Sequence, residues 1–244
     1  MSIKLLALVA VSFFVLAPAR AAIVIGGTRI VFPAASRDVS LKIQNKGSDP
    51  ALVQAWIDDG DVTSTPTTAK APFAITPPVF RIDPAQGHSL RIVHVGDTPA
   101  SGRETVYWLN VLEIPPKSAE AAGKNVLQLA FRHRIKLFHR PADLSGSSDK
   151  APSTLRWSVE REGARTQVRV DNPSPYYVSF NAVSLPATKP GEAPLSLGGG
   201  MVDPGGYARF PVAEGQGRRR IDAVAFVTIN DYGATVPGSA AIAE

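Results

Sequence analysis

The sequence predicts an all-β protein made of two successive groups of strands, and three observations carry that expectation. Short runs of alternating apolar and polar residues recur along the chain, broken by proline, glycine, asparagine and aspartate. That period of two sends successive side chains to opposite faces of a sheet. No stretch of twelve residues holds a sustained helical repeat with a cap. A segment rich in proline, glycine and serine, PADLSGSSDKAPS from Pro141 to Ser153, separates the two groups.

Residues 1–21 stand apart from the fold. Met1 to Lys4 carries positive charge, Leu5 to Leu16 is an apolar run, and Ala19-Arg20-Ala21 is a small-x-small cleavage pattern. Together they read as a secretory signal peptide, cut after Ala21 or, as second choice, after Ala22. The run is too short to span a bilayer. No later segment approaches eighteen consecutive apolar residues. The mature chain is therefore expected to be soluble and exported, with no membrane insertion. Removing the leader deletes Lys4 and Arg20 and no acid, so 24 basic side chains face 21 acidic ones. A net charge of +3 is no nucleic-acid signature. Cysteine is absent, which excludes a thiol nucleophile and a cysteine metal site and leaves stability to packed cores. About 220 residues suffice for two domains of roughly 100 each. The division expected is 22–141 for the first domain, 142–153 for the linker and 154–244 for the second.

In the first group, Ile23 to Phe32, Val39 to Asn45, Ala51 to Ile57, Phe80 to Ile82, Ser89 to Val95 and Thr105 to Ile114 read as strands. Turn residues such as Asn45-Lys46-Gly47, Asp59-Gly60, Pro77-Pro78 and Pro115-Pro116 end them. The longest signal follows at Asn125 to Arg140, NVLQLAFRHRIKLFHR, stopped by Pro141. About seven strands at this spacing is the pattern of an immunoglobulin-like sandwich. In the long run Leu127, Leu129 and Phe131 alternate with polar or small residues. Apolar edges are normally blunted by charge, proline or brevity, so an unblunted one suggests a strand kept available for another chain. The alternative is a central sandwich strand.

The second group comprises Thr154 to Glu160, Thr166 to Asn172, Tyr176 to Ser184, Ala208 to Val212 and Ala223 to Ile229. Gly198-Gly199-Gly200 lacks the lysine and hydroxyl of a phosphate loop and reads as a flexible turn. The tail after Asp231 reads as loosely ordered.

Chemistry-bearing constellations are scarce. His88, His94, His133 and His139 lie at no metal-ligand spacing, GxSxG is absent, and no carboxylate pair stands out. No metal, cofactor or catalytic residue is expected, and an exported enzyme is the weaker reading. Arg29 and Lys136 are each set within strand signals among apolar or β-branched residues. Both are solvated side chains, or else they form a pair of donors holding a carboxylate in a cleft between the domains.

Several segments, in order, resemble a known family. GGTRIVF (Gly26 to Phe32), VQAWID (Val53 to Asp58), FAITPPVFRIDP (Phe73 to Pro84), RETVYWLNVLEIPPK (Arg103 to Lys117), NVLQLAFRHRIKLFHRP (Asn125 to Pro141), NPSPYYV (Asn172 to Val178) and INDYGA (Ile229 to Ala234) are similar to the PapD-like periplasmic chaperones of the chaperone and usher pathway. The resemblance implies two immunoglobulin-like β-sandwich domains in a boomerang arrangement, with fimbrial (pilus) subunits as partners and an outer-membrane usher as recipient. It implies that Arg29 and Lys136 anchor the C-terminal carboxylate of a subunit. Leu127, Leu129 and Phe131 would enter the groove of a subunit lacking its last strand, a mode called donor-strand complementation. Glu104, Arg140 and Asp231 would form an interdomain salt bridge. Gln54, Pro77, Pro78 and Val79 resemble the face that contacts the usher. When unloaded, the same strand would also offer a surface for self-association, and the sequence leaves the oligomeric state of the free protein open.

Two features depart from part of that family. The segment between Pro116 and Asn125, KSAEAAGK, is short and resembles the short-loop branch, and the cysteine pair many relatives carry in the second domain is missing. The odd-numbered Leu127, Leu129 and Phe131 and the even-numbered Lys136 fall on opposite faces under strict alternation, so a bulge or strong twist between Phe131 and Lys136 is expected if both touch one subunit. A fimbrial subunit or adhesin is the rival reading, disfavoured because this chain begins directly in a strand.

Overall fold

The computed structural model describes residues 22–96, 102–116, 127–163, 165–189, 191–213, 215 and 220–242. The expected leader lies outside the described residues, as do Asn125 and Val126. Regular structure among them is sixteen strands and one 3-10 turn, Ala151–Thr154. No helix there is long and apolar enough to cross a membrane.

The first nine strands, in chain order, are β1 (Ile23–Ile25), β2 (Arg29–Pro33), β3 (Asp38–Asn45), β4 (Ala51–Asp58), β5 (Phe73–Thr76), β6 (Val79–Ile82), β7 (Gly87–His94), β8 (Thr105–Ile114) and β9 (Phe131–Arg140). They form one immunoglobulin-like sandwich, a four-stranded sheet β1-β3-β7-β5 packed on a five-stranded sheet β2-β9-β8-β4-β6. Inward residues of both sheets, among them Phe32, Ile43, Val53, Leu90, Ile92, Leu109, Val111 and Leu137, are fully buried and make one core. Such side chains contribute about 1.5–3 kcal/mol each.

The remaining strands are β10 (Arg156–Glu162), β11 (Arg165–Asp171), β12 (Val178–Leu185), β13 (Leu195–Val202), β14 (Tyr207–Pro211), β15 (Ala223–Ile229) and β16 (Thr235–Ala241). They build a second sandwich from the sheets β10-β11-β14 and β13-β12-β15-β16. Its core centres on Trp157, stacked on Phe226 at 5.4 Å and edge-on to Phe180 at 5.6 Å. Leu144 and Ala151, from the stretch between the sandwiches, pack on this second core.

Four expectations need correction. Ile23 to Phe32 is not one strand: Gly26 donates to the Lys42 carbonyl at 2.8 Å and the chain then crosses, so β1 joins one sheet and β2 the other. A Cβ on Gly26 would meet that carbonyl oxygen at 2.9 Å, and glycine permits the close approach. The long strand begins at Phe131, with Leu127 to Ala130 exposed and outside any strand. Gly198-Gly199-Gly200 is no flexible turn but lies within β13, where it faces a register shift in β12 between Phe180 and Val183. The chain after Asp231 includes β16, which pairs with β15 over its whole length. Its small residues give no apolar signal, yet Gly238 is needed because a Cβ there would lie 2.5 Å from the Phe226 ring.

An ion-paired cluster ties the sandwiches together. Arg140, at the end of β9, donates through Nε to Glu104 Oε1 at 2.5 Å and through its two terminal nitrogens to Asp231 at 2.7 and 2.9 Å. Glu104 also accepts from the Tyr177 backbone N–H at 2.9 Å, and Ser148 donates to Asp231 at 2.8 Å. Thus both edges of the guanidinium are used, one carboxylate coming from each domain. Burial pushes the Glu104 carboxyl up, and Arg140 offsets only part of that rise. Burial also acts upward on Asp231, but the Arg140 fork outweighs it and holds the carboxyl below its ordinary range. Nearby, the Asn230 turn places Gly233 at φ 82 against Thr28, where a Cβ would sit 2.5 Å from the hydroxyl oxygen.

Arg140→Met therefore leaves Glu104 buried without its cation, and it should lower stability by about 3 kcal/mol at pH 8. A carboxyl whose folded pKa lies above its unfolded value gains stability as pH falls through the folded value. The deficit should accordingly shrink between pH 8 and pH 5 in chemical denaturation. A deficit independent of pH would show that Arg140 does not neutralise Glu104.

Candidate functional site

The register of β9 defines the site. Its pairing with β8 runs from Thr105 opposite His139 to Glu113 opposite Phe131 with no register shift. The bulge expected between Phe131 and Lys136 is therefore absent, and alternation holds strictly. Odd-numbered Ile135 and Leu137 enter the first core. Even-numbered Arg132, Arg134, Lys136 and Phe138 occupy the opposite face, over Trp56, Trp108 and Tyr177. Leu127, Leu129 and Phe131 are 86, 54 and 53% exposed.

On its other edge β9 is only half covered. β2 runs parallel to it and pairs from Arg29 opposite Lys136 to Pro33 opposite Arg140. Phe131 to Ile135 thus have β8 on one side and, among the described residues, no strand on the other. β2 begins where it does because the preceding glycines carry the chain over from the other sheet. The unpaired backbone edge and the Arg29–Lys136 pair are consequently adjacent.

Arg29 and Lys136 sit on neighbouring strands, about 4.8 Å apart in such sheets, on the face turned to the second domain. A terminal nitrogen of Arg29 donates to the Ile229 carbonyl at 2.9 Å, and Lys136 Nζ donates to Ser179 Oγ at 3.2 Å. Ser179 and Ile229 are themselves a register pair of β12 and β15. Two ladder rungs, one per domain, are therefore hydrogen-bonded to each other beside a cleft of about 620 Å³ whose lining includes Arg29, Phe138, Tyr177, Ser179 and Ile229. Arg29 Nε is buried and has no hydrogen-bond partner among the described residues. Burial lowers the Arg29 pKa, with Asp231 and Glu104 acting in the other direction. Burial and then the positive charge of Arg29 bring Lys136 down to about 8. Two half-buried cations repel each other here, one with an unused donor, and an anion able to accept from both would relieve that repulsion.

The other residues singled out from the sequence fall into separate places. Glu104, Arg140 and Asp231 meet as the interdomain cluster. Gln54 on β4 is opposite Val79 on β6, and Ala55 donates to the Pro78 carbonyl at 2.8 Å. With Pro77 they form the far edge of the five-stranded sheet, away from β2. Sequence reading missed Ser179, Ile229 and Tyr177 as walls of the cleft, since nothing local marks a residue whose partner lies in another domain. It also treated His94 and His139 separately, whereas their rings stack at 4.9 Å inside the first sandwich.

Comparison with known proteins agrees with this architecture. Residues 22–145 match the model of the pili and flagellar-assembly chaperone PapD N-terminal domain, and residues 150–240 match that of the pili assembly chaperone PapD C-terminal domain. The chain is 40% identical over 237 residues to the chaperone protein FimB/FhaD of Bordetella pertussis, covering 94% of this chain and 92% of that protein. It is 39% identical over 221 residues to the probable fimbrial chaperone YadV of Escherichia coli K12, covering 89% of each. The crystal structure of YadV superposes with a TM-score of 0.76 over 91% of this chain and all of that one. The SafB chaperone of Salmonella enterica, solved in complex with the SafA pilin, gives a TM-score of 0.73 at 25% identity, covering 93% of this chain and 99% of that one. With both family domains matched in order across nearly all of its described length, the chain belongs to the PapD family of pilus assembly chaperones.

Proposed function

We propose that the protein captures fimbrial subunits in the periplasm by letting a subunit strand occupy the vacant edge of β9. The observation that carries this reading is the collinearity of that edge with β2. A strand lying beside Phe131 to Ile135, parallel to β9, occupies the line that β2 continues. Its last residue then arrives where β2 begins, and its terminal carboxylate meets Arg29 and Lys136. The opposite faces of the donor residues and Lys136 cease to be a conflict, because the subunit contacts an edge and its chain end rather than one face.

Leu127, Leu129 and Phe131 are exposed at and before the start of β9, from where they replace the side chains of a missing subunit strand. Their burial contributes on the order of 5–9 kcal/mol gross, and association entropy offsets much of it. The carboxylate fixes register, since a slip of one residue turns each anchor to the wrong face. Delivery to an outer-membrane usher uses the separate edge at Gln54, Pro77, Pro78 and Val79, which stays free while β9 is occupied. The unloaded edge is also a site for self-association. Export depends on residues 1–21, and the protein acts by binding, with no reaction or cofactor.

Tagged protein expressed with the pilus subunit genes neighbouring its own should co-purify from periplasm one-to-one with a subunit. Lys136→Met and Arg29→Ala should each remain folded and lose most of the bound subunit. Undiminished capture by both variants would rule out the carboxylate anchor.

The depressed Lys136 pKa adds a pH signature. Its folded value of about 8 lies below the ordinary 10.5, so the charged form is disfavoured in the free protein, a cost that lessens as pH rises from 8 towards 10.5. Binding a carboxylate needs the charged form, so affinity should fall above pH 8, by at most about tenfold per unit. Lys136→Met should flatten that profile.

Leu129→Glu should preserve the circular dichroism spectrum while reducing capture by at least about tenfold. Unfolding would place Leu129 in the internal core instead.

A further inference from the structure

The half of β9 that lacks a second strand is held by side chains. Arg132 and Arg134, the even-numbered residues of that half, both reach back across β8 towards β4. Arg134 donates to Asp58 Oδ1 at 2.5 Å and lies 4.2 Å from the Trp108 ring centroid. Arg132 donates from two nitrogens to Asn110 Oδ1 at 2.9 and 2.7 Å, and to the Val62 carbonyl at 2.9 Å, above Trp56 at 4.8 Å. Asn110 in turn donates to Asp58 Oδ2 at 2.6 Å, as does Ser64 at 3.0 Å. The Asp58 side chain is 0% exposed. Burial acts upward on its carboxyl, but hydrogen bonds from Arg134 and Asn110 hold it below the ordinary range.

We infer that Asp58 is a positioning residue for subunit capture: through Arg134, Asn110 and Arg132 it fixes the extended conformation of Phe131 to Ile135 before any partner arrives. The inference rests on the donor-edge reading above and adds what keeps that edge ready. A half-strand with one neighbour loses the cooperative hold of a second ladder and frays, and each frayed residue must be re-ordered on binding. The clamp spans three strands and uses only the even-numbered face, so the odd-numbered side chains and the backbone edge stay free. No residue of the clamp touches Arg29 or the interdomain cluster in any hydrogen bond described above.

Hydrogen exchange on the free, full chain tests this directly. Asp58→Asn should speed exchange across 131–135 by at least about tenfold and leave 137–139 near the wild-type rate. It should also slow capture of a co-expressed subunit by about tenfold. Arg134→Met, which keeps its stem on Trp108 but cannot reach Asp58, should give the same two effects and serves if Asp58→Asn fails to fold. Unchanged exchange across 131–135, an equal rise at 137–139, or capture at the wild-type rate would each overturn the proposal. Leu129→Glu separates the two ideas, because it should abolish capture and leave exchange across 131–135 unchanged. If it captured normally, the donor-edge reading would fall and this inference with it. Slow exchange lost only in the clamp variants, with capture lost in Leu129→Glu, supports both.

Discussion

The structure turns on where β2 begins. Because the chain crosses between sheets at Gly26 and pairs with β9 only from Arg29 onward, Phe131 to Ile135 of β9 have, among the described residues, no strand on that edge. Unpaired ladder groups normally threaten aggregation. Here the vacancy has a defined length, a stop at Arg29 and Lys136, and a neighbouring row of exposed apolar side chains. Each feature alone has a bland reading. Together they are the basis of the proposed slot for one strand with a carboxylate at its end.

The second domain completes that slot. Ser179 and Ile229 take one hydrogen bond from each cation, so the pair is oriented by the far wall of the cleft and remains short of acceptors. The Glu104–Arg140–Asp231 cluster joins the same two domains farther along β9. Its acid from the second domain, Asp231, lies two residues beyond Ile229, so the same segment carries a cleft wall and an anchor of the hinge. The proposed anion site and the interdomain ion pairs thus draw on the same short segment.

Much of this was legible in the sequence, for physical reasons that differ by element. Strands such as β4 and β8 show a period of two because one face of each is buried, and the linker shows in its composition. Arg29 and Lys136 were visible as charges inside strand signals. β13 and β16 were not, because glycine and small residues erase the apolar alternation while register with β12 and β15 supplies the pairing. The strand break after Ile25 was hidden because both halves are apolar and only the sheet they join differs. Asp58 gave no signal beyond a polar residue ending a strand, since its meaning lies in two arginines more than seventy residues away. Parity in β9 was legible as strict alternation, and the structure keeps it because the β8–β9 register runs unbroken from Thr105 to Glu113.

A crystal structure of the protein with a subunit bound would test the central claim most directly. The account predicts a subunit strand paired with Phe131 to Ile135, parallel to β9 and in line with β2, ending in a carboxylate between Arg29 and Lys136. A bound subunit that left this edge unpaired, or met it with its chain running the other way, would contradict it.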